Sequence, residues 1–174
     1  MSTITSANTS INKTKAPAIV KLVEKVNGFH DGQHVFDFGC GKYPETTKAA
    51  ILDNYDLIYA GFDPYNRTSN ENSRASFLIP MQHANVVLCS NVLNVIQKSG
   101  DRRVSLVLMR NRLQKGGILY LTVYEGNKSG KGKKTKEDCW QENRPTQDYV
   151  QEIENVFGKG NVTRKGKLII ATKN

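Results

Sequence analysis

The chain has 174 residues, a formal net charge of +9, 38% hydrophobic residues and 24% charged residues. A chain of this length buries about 70% of its unfolded surface in one core and needs no disulfide or metal to do so. No apolar run approaches the ~20 residues of a membrane span, so a cytoplasmic protein with no membrane partner is expected.

Cys40, Cys89 and Cys139 are far apart and form no Cys-x-x-Cys pair, and His30, His34 and His83 have no metal-binding spacing. Zinc knuckles and dithiol redox motifs are therefore disfavoured, no metal is expected, and free thiols are. The positive charge suits an anionic partner, with nucleic acid one possible class.

Residues 1–15 are polar and lack the apolar core of a secretory signal, and they read as a flexible tail ahead of a single domain over 16–174. Ile19, Val23 and Val26 recur at the helical period, which predicts a helix over 17–27 stopped by Gly28. Residues 34–38 are the first strand, and Pro44 opens a helix running to about 54. Residues 57–62 form a second buried strand that ends at Asp63-Pro64.

Residues 66–76 carry no apolar period and suggest no element, whereas 77–80 suggest a short third strand. Residues 84–89 are a fourth strand, ending at Ser90-Asn91. Ser99 is placed as a helix cap with Asp101 in the first turn, and Val104, Val107, Leu108 and Leu113 as the apolar face. Residues 118–124 form a fifth strand that leads to Glu125.

Residues 126–136 hold three glycines and five lysines and no acid. They fail the phosphate-loop pattern, because no glycine stands five residues before a Gly-Lys-Ser/Thr. They read either as a solvated loop or as a mobile basic flap over an anionic acceptor. Trp140, expected in the core, and Asn143 and Arg144 follow. A helix over 146–157 presents Tyr149, Ile153, Val156 and Phe157, and residues 162–164 and 167–172 flank Lys165-Gly166 as a tight hairpin.

Strands thus alternate with helices and the chain closes on an antiparallel pair, which implies an α/β layered fold with a mostly parallel sheet. Ligands in such sheets bind at the carboxyl ends of strands. Asp37-Phe38-Gly39-Cys40-Gly41, Asp63 and Ser90-Asn91 all stand at such ends. Glycines at alternate positions let a ligand approach the backbone. Pro44 stands where a dinucleotide fingerprint needs its third glycine, and Asp37 would repel a pyrophosphate but attract an ammonium group.

Here the chain resembles the class I S-adenosylmethionine-dependent methyltransferases over residues 29–174. Asp37-Phe38-Gly39-Cys40-Gly41 looks like their first motif, with Tyr43 in place of its third glycine. Asp63, 22 residues after Gly41, looks like their ribose-binding acid. Leu113-Gln114-Lys115-Gly116-Gly117-Ile118-Leu119 looks like the passage into their fifth strand. Residues 89–96 are also similar to methyltransferases associated with DNA phosphorothioation.

The resemblance implies a three-layer Rossmann-like sheet with an antiparallel C-terminal hairpin, and S-adenosylmethionine as cofactor. It implies cofactor contacts from Asp37 (ammonium), Phe38, Gly39, Cys40, Gly41, Asp63 (ribose), Pro64, Ser90 and Asn91. Met81 and Gln82 are the nearest candidates for the adenine. Asn91, Tyr124 and Glu125 are candidates to line or serve the acceptor pocket.

Neither the Asp/Asn-Pro-Pro-aromatic pattern of the amino-DNA methyltransferases nor a Pro-Cys nucleophile stands in the expected place. The acceptor and the oligomeric state stay open. The alternative to an enzyme is a non-catalytic protein that uses the same pocket for S-adenosylmethionine, or a nucleic-acid-binding protein.

Overall fold

In the computed structural model, which describes residues 5–9 and 13–174, strand β1 (His34–Phe38) lies between two parallel partners. These are β2 (Ile58–Phe62) and β3 (Ala84–Ser90). Strand β4 (Leu113–Thr122) pairs parallel to β3. The sheet is completed by β7 (Val162–Lys165) and β8 (Leu168–Thr172), an antiparallel hairpin in which β8 lies against β4. The strand order is β2-β1-β3-β4-β8-β7. A smaller two-stranded sheet is formed by β5 (Lys133–Lys136) and β6 (Cys139–Gln141).

Side chains alternate across a strand, so each face of the sheet collects its own core. On one face Phe36, Val87, Leu119 and Leu121 pack with helices α3 (Ser69–Leu78), α4 (Ser99–Arg112) and α5 (Val150–Phe157). On the other, Val35, Tyr59, Val86 and Leu88 pack with α1 (Ile19–Glu24) and α2 (Pro44–Leu52). Both faces are covered, and the layers are the three expected of a Rossmann-like fold.

Four readings of the sequence are corrected. First, residues 69–78 are a helix. Thr68 Oγ1 accepts the Glu71 N–H and the Glu71 carboxylate accepts the Thr68 N–H, a reciprocal capping box. That cap starts a helix whose one buried residue is Ala75, so no apolar stripe marks it. Second, residues 77–80 form no strand. They close α3, and Phe77 is 88% exposed. The strands expected as fourth and fifth are therefore β3 and β4.

Third, Ser99 is the first helical residue of α4 rather than its cap, which is Lys98. The buried face is Arg102, Leu106, Met109 and Leu113, whereas Val104 and Leu108 are exposed. Fourth, the basic segment 126–136 ends in β5, whose partner β6 holds it.

Ser6 falls in the segment read as a tail, yet it is buried against the β5–β6 hairpin. Its N–H donates to the Asp138 carbonyl (2.9 Å) and its hydroxyl accepts the Trp140 N–H (3.1 Å). Residues 1–4 and 10–12 of that segment lie outside the described residues.

An arginine occupies the buried stripe of α4 because its donors find partners. Arg102 makes a bidentate pair with Glu152 (2.7 and 2.9 Å), meets Glu142 (3.1 Å), and donates to the Ile96 and Gln97 carbonyls (2.9 and 3.0 Å). Arg144 adds a contact to Glu152 (2.8 Å) and lies over the Tyr149 ring at 4.1 Å. Two arginines and two glutamates thus join α4, α5, the segment after β6 and the loop after β3. Removing Arg102 would leave two carboxylates with reduced compensation. Arg102→Ala is expected to lower stability by about 3–5 kcal/mol in urea denaturation; a loss under about 1 kcal/mol would show the cluster to be an ordinary surface pair.

Candidate active site

Because β1, β2 and β3 run parallel and in register, their carboxyl ends come to one edge of the sheet. Asp37 stands opposite Gly61 of β2 and Leu88 of β3. The chain then turns through Gly39 and Gly41 at φ of +77° and +72°, which side chains disfavour. The Gly39 and Cys40 N–H groups donate to the Phe62 carbonyl (2.8 and 3.1 Å). A Cβ on Gly39 would overlap the Val92 side chain, so the loop after β3 rests directly on the glycine turn.

Asp37 is 3% exposed. The Tyr59 hydroxyl donates to one carboxylate oxygen at 2.6 Å, and the other oxygen has no hydrogen-bond partner among the described residues. Burial pushes the carboxyl up to about 6; the Tyr59 hydrogen bond opposes this and the nearby Asp63 charge adds to it. Burial, reinforced by Asp37, likewise raises the Tyr59 hydroxyl. A buried acid with one open oxygen beside a glycine turn can seat a cation.

Asp63 is buried and occupied by its own loop. One oxygen accepts the Tyr65 and Asn66 N–H groups (2.9 and 2.8 Å). The other accepts the Gly41 N–H (3.0 Å) and, more weakly, the Asn66 side chain (3.4 Å). Asn72 on α3 brackets the same residue from behind, accepting its N–H and donating to its carbonyl. Asp63 therefore ties the end of β2 to the glycine turn. The Asn66 Oδ1 is buried beside it without a partner.

The Phe38 side chain packs in the core against Phe62 (5.6 Å between centroids) and can offer only backbone. Cys40 is partly buried, and burial together with the Asp37 and Asp63 charges pushes its thiol up, so it is not a thiolate nucleophile. Pro64 is exposed next to Asp63. Met81 and Gln82 are a correction. They precede β3, at the amino end of the sheet, because α3 carries the chain back there; a strand of 7 residues, about 20 Å, separates them from the other candidates.

Ser90, Asn91, Tyr124 and Glu125 share a cleft of about 290 Å³ at the ends of β3 and β4, walled by Ala18 and Leu22 of the α1 region. Asn91 takes a left-handed φ of +57° and donates its N–H to the Thr122 carbonyl (2.9 Å). Tyr124 is 62% exposed. Glu125 accepts the Thr146 N–H and hydroxyl (2.8 and 2.9 Å) and pairs with Lys128 (3.0 Å). Thr146 and Lys128 pull its carboxyl down to about 2, so it caps the next element and is a poor proton acceptor.

Sequence reasoning missed Asn72, Asn94 and Gln141. Buried Asn94 accepts the Tyr124 N–H (3.3 Å) and donates to Gln141, which donates to the Tyr124 carbonyl. The only signal was polar residues beside apolar ones, and the partners lie 30 and 17 residues away.

Among the described residues, no group of three or more His, Cys, Asp or Glu could hold a metal ion, and no helix is long and apolar enough to cross a membrane.

The Asp37 carboxyl titrates higher in the folded chain (about 6) than its ordinary value of about 3.9. Between those pH values the native state binds more protons than the unfolded state. Stability therefore falls as pH rises through that window, and the full cost persists above it. Asp37→Asn keeps an acceptor for Tyr59 and is expected to stabilise the protein at pH 7 by about 1–3 kcal/mol. A destabilised variant in denaturant titrations would show that the ionised acid holds the strands together.

No family model matches the chain, and no curated protein matches it. Solved structures do. The [4+2]-cyclase SpnF is 11% identical with a TM-score of 0.55, covering 80% of this chain; the chain spans 55% of SpnF. The 1,6-didemethyltoxoflavin-N1-methyltransferase of Burkholderia thailandensis, solved with 1,6-didemethyltoxoflavin and S-adenosylhomocysteine, is 12% identical with a TM-score of 0.62. That match covers 94% of this chain and 80% of the enzyme. An S-adenosylmethionine-dependent methyltransferase of Methanosarcina mazei is 13% identical with a TM-score of 0.57, covering 86% and 96%. The fold is that of the class I S-adenosylmethionine-dependent methyltransferases.

Proposed function

We propose that the protein is an S-adenosylmethionine-dependent methyltransferase. The observation that carries this reading is the buried Asp37 carboxylate, with one oxygen open, at the foot of a positive-φ glycine turn. A cofactor with an ammonium and no phosphate suits that charge; a dinucleotide does not. Fold likeness to structures such as the didemethyltoxoflavin methyltransferase supports the same choice.

Asp37 holds the methionine ammonium. Gly39, Cys40 and Gly41 let the backbone come close. Asp63, with the orphaned Asn66 oxygen beside it, receives the ribose hydroxyls by exchanging its weakest loop contact. Ser90 and Asn91 face the transferred methyl, and Asn91 and Tyr124 position the acceptor.

The bound cofactor supplies a methyl group already activated by a sulfonium. The protein's part is alignment, which supplies up to ~7–11 kcal/mol in favourable cases. Glu125 contributes by fixing Thr146 and the cleft wall.

Calorimetric titration of cofactor-free protein with S-adenosylmethionine, S-adenosylhomocysteine and NAD tests this reading. Saturable binding of the first two is expected, weakened about ten- to a hundredfold in Asp37→Asn, the size of one charged hydrogen bond. Affinity should fall as pH drops below about 6, where Asp37 takes up its proton, and the Asn variant should lack that dependence. No binding of either methionine compound, or tighter binding of NAD, overturns the proposal.

A further inference from the structure

We propose that the cleft between the ends of β3 and β4 takes a small carboxylate as methyl acceptor, held by Lys167. This rests on the methyltransferase reading and names its substrate class.

Lys167 lies in the two-residue turn of the β7–β8 hairpin, and antiparallel pairing brings that turn to the end of β4 and into the cleft lining. The other charged lining residues, Glu125 and Lys128, neutralise each other at 3.0 Å. Lys167 has no side-chain hydrogen-bond or ion-pair partner among the described residues. The cleft thus carries one uncompensated positive charge, with Ala18, Leu22 and the exposed Tyr124 ring as less polar walls. At about 290 Å³ it sits at the lower end of small-molecule pockets.

Among the described residues, the lining also lacks a good base. It contains no histidine, and its one carboxylate is bound by Thr146 and Lys128 and held down to about 2. The acceptor must therefore take the methyl group without giving up a proton, which an ionised carboxylate does and an alcohol does not. Asn91 lines the cleft while its neighbour Val92 packs on Gly39, so a single residue separates this space from the glycine turn.

In the transfer a carboxylate oxygen forms a bond to the methyl carbon. The sulfur–methyl bond breaks and its electron pair returns to sulfur. The products are a methyl ester and a neutral thioether, and no proton moves. The ester has lost the charge that Lys167 held, which favours its release.

The lysine-rich hairpin points away from a nucleic-acid acceptor. Lys133, Lys134 and Lys136 are exposed on β5 and none lines the cleft. The Trp140 ring beside them is partly covered by Gly132, where a Cβ would overlap it, which leaves less of it for stacking on a base.

The test uses benzoate and its neutral analogue benzamide as probes, followed by NMR amide shifts with and without S-adenosylhomocysteine. Benzoate should shift Asn91, Tyr124 and Lys167, and benzamide should bind more weakly. Lys167→Glu should weaken benzoate about fivefold to tenfold, the size of reversing one exposed charge, and leave S-adenosylhomocysteine affinity unchanged. Lys167→Ala should give an intermediate loss.

Equal binding of benzamide, undiminished benzoate binding in Lys167→Glu, or shifts confined to the β5–β6 lysines each overturn the proposal. If benzoate fails while S-adenosylhomocysteine binds, the anion site alone is wrong. If S-adenosylhomocysteine fails, the methyltransferase reading falls, and with it the carboxylate's role as acceptor.

Discussion

The parallel pairing of β1 on both its edges is the constraint from which the candidate site follows. A strand with a parallel neighbour on each side has its end aligned with theirs, so Asp37, Asp63 and Ser90–Asn91 come together although 53 residues separate Asp37 from Ser90. The faces of the sheet are covered as well, which leaves the Asp37 side chain buried. Asp37 therefore ionises reluctantly, and its one hydrogen bond from Tyr59 does not offset the lost hydration. The acid is costly to the fold as an anion and useful to a cationic ligand for the same reason.

Two polar knots carry that alignment outward. Asp63 gathers backbone N–H groups from the glycine turn and from its own loop, so the ends of β1 and β2 cannot move apart without exposing donors. Asn94 and Gln141 do the corresponding job between β4, β6 and the turn after β3. Below the second knot, Arg102 closes the charge balance with Glu142 and Glu152. Apolar residues of similar volume could match such a cluster in stability. What the cluster adds is a defined path for residues 93–98, because two of their carbonyls, those of Ile96 and Gln97, accept hydrogen bonds from Arg102.

Much of this was legible in the residues. Strands β1 to β4 announce themselves as short apolar runs ending in polar or glycine residues, and the last hairpin as two such runs around Lys165-Gly166. What escaped notice depended on partners far along the chain or on helices with little to bury. Helix α3 rests on a single buried alanine, so its readable signal was the Thr68–Glu71 cap rather than any periodicity. The face of α4 was misread because an arginine completes it. Its partner Glu152 is 50 residues away, and nothing near Arg102 signals that burial is tolerated. Glu125 resembles a pocket acid until Thr146, 21 residues on, is seen to occupy it.

The glycine turn and the cleft also differ in how they treat charge, and the difference bears on chemistry. At the turn a negative group is desolvated and left half-partnered, so the fold is improved by the arrival of a cation. In the cleft the acid is saturated and, among the described residues, Lys167 is left over, so an anion finds an unpaired cation there. A methyl donor with a positive sulfur and an acceptor with a negative oxygen would satisfy both sides at once. Such a reaction would cancel the two reacting charges in a space that, among the described residues, offers no good proton acceptor, so it would ask of the protein chiefly alignment across Asn91 and Val92.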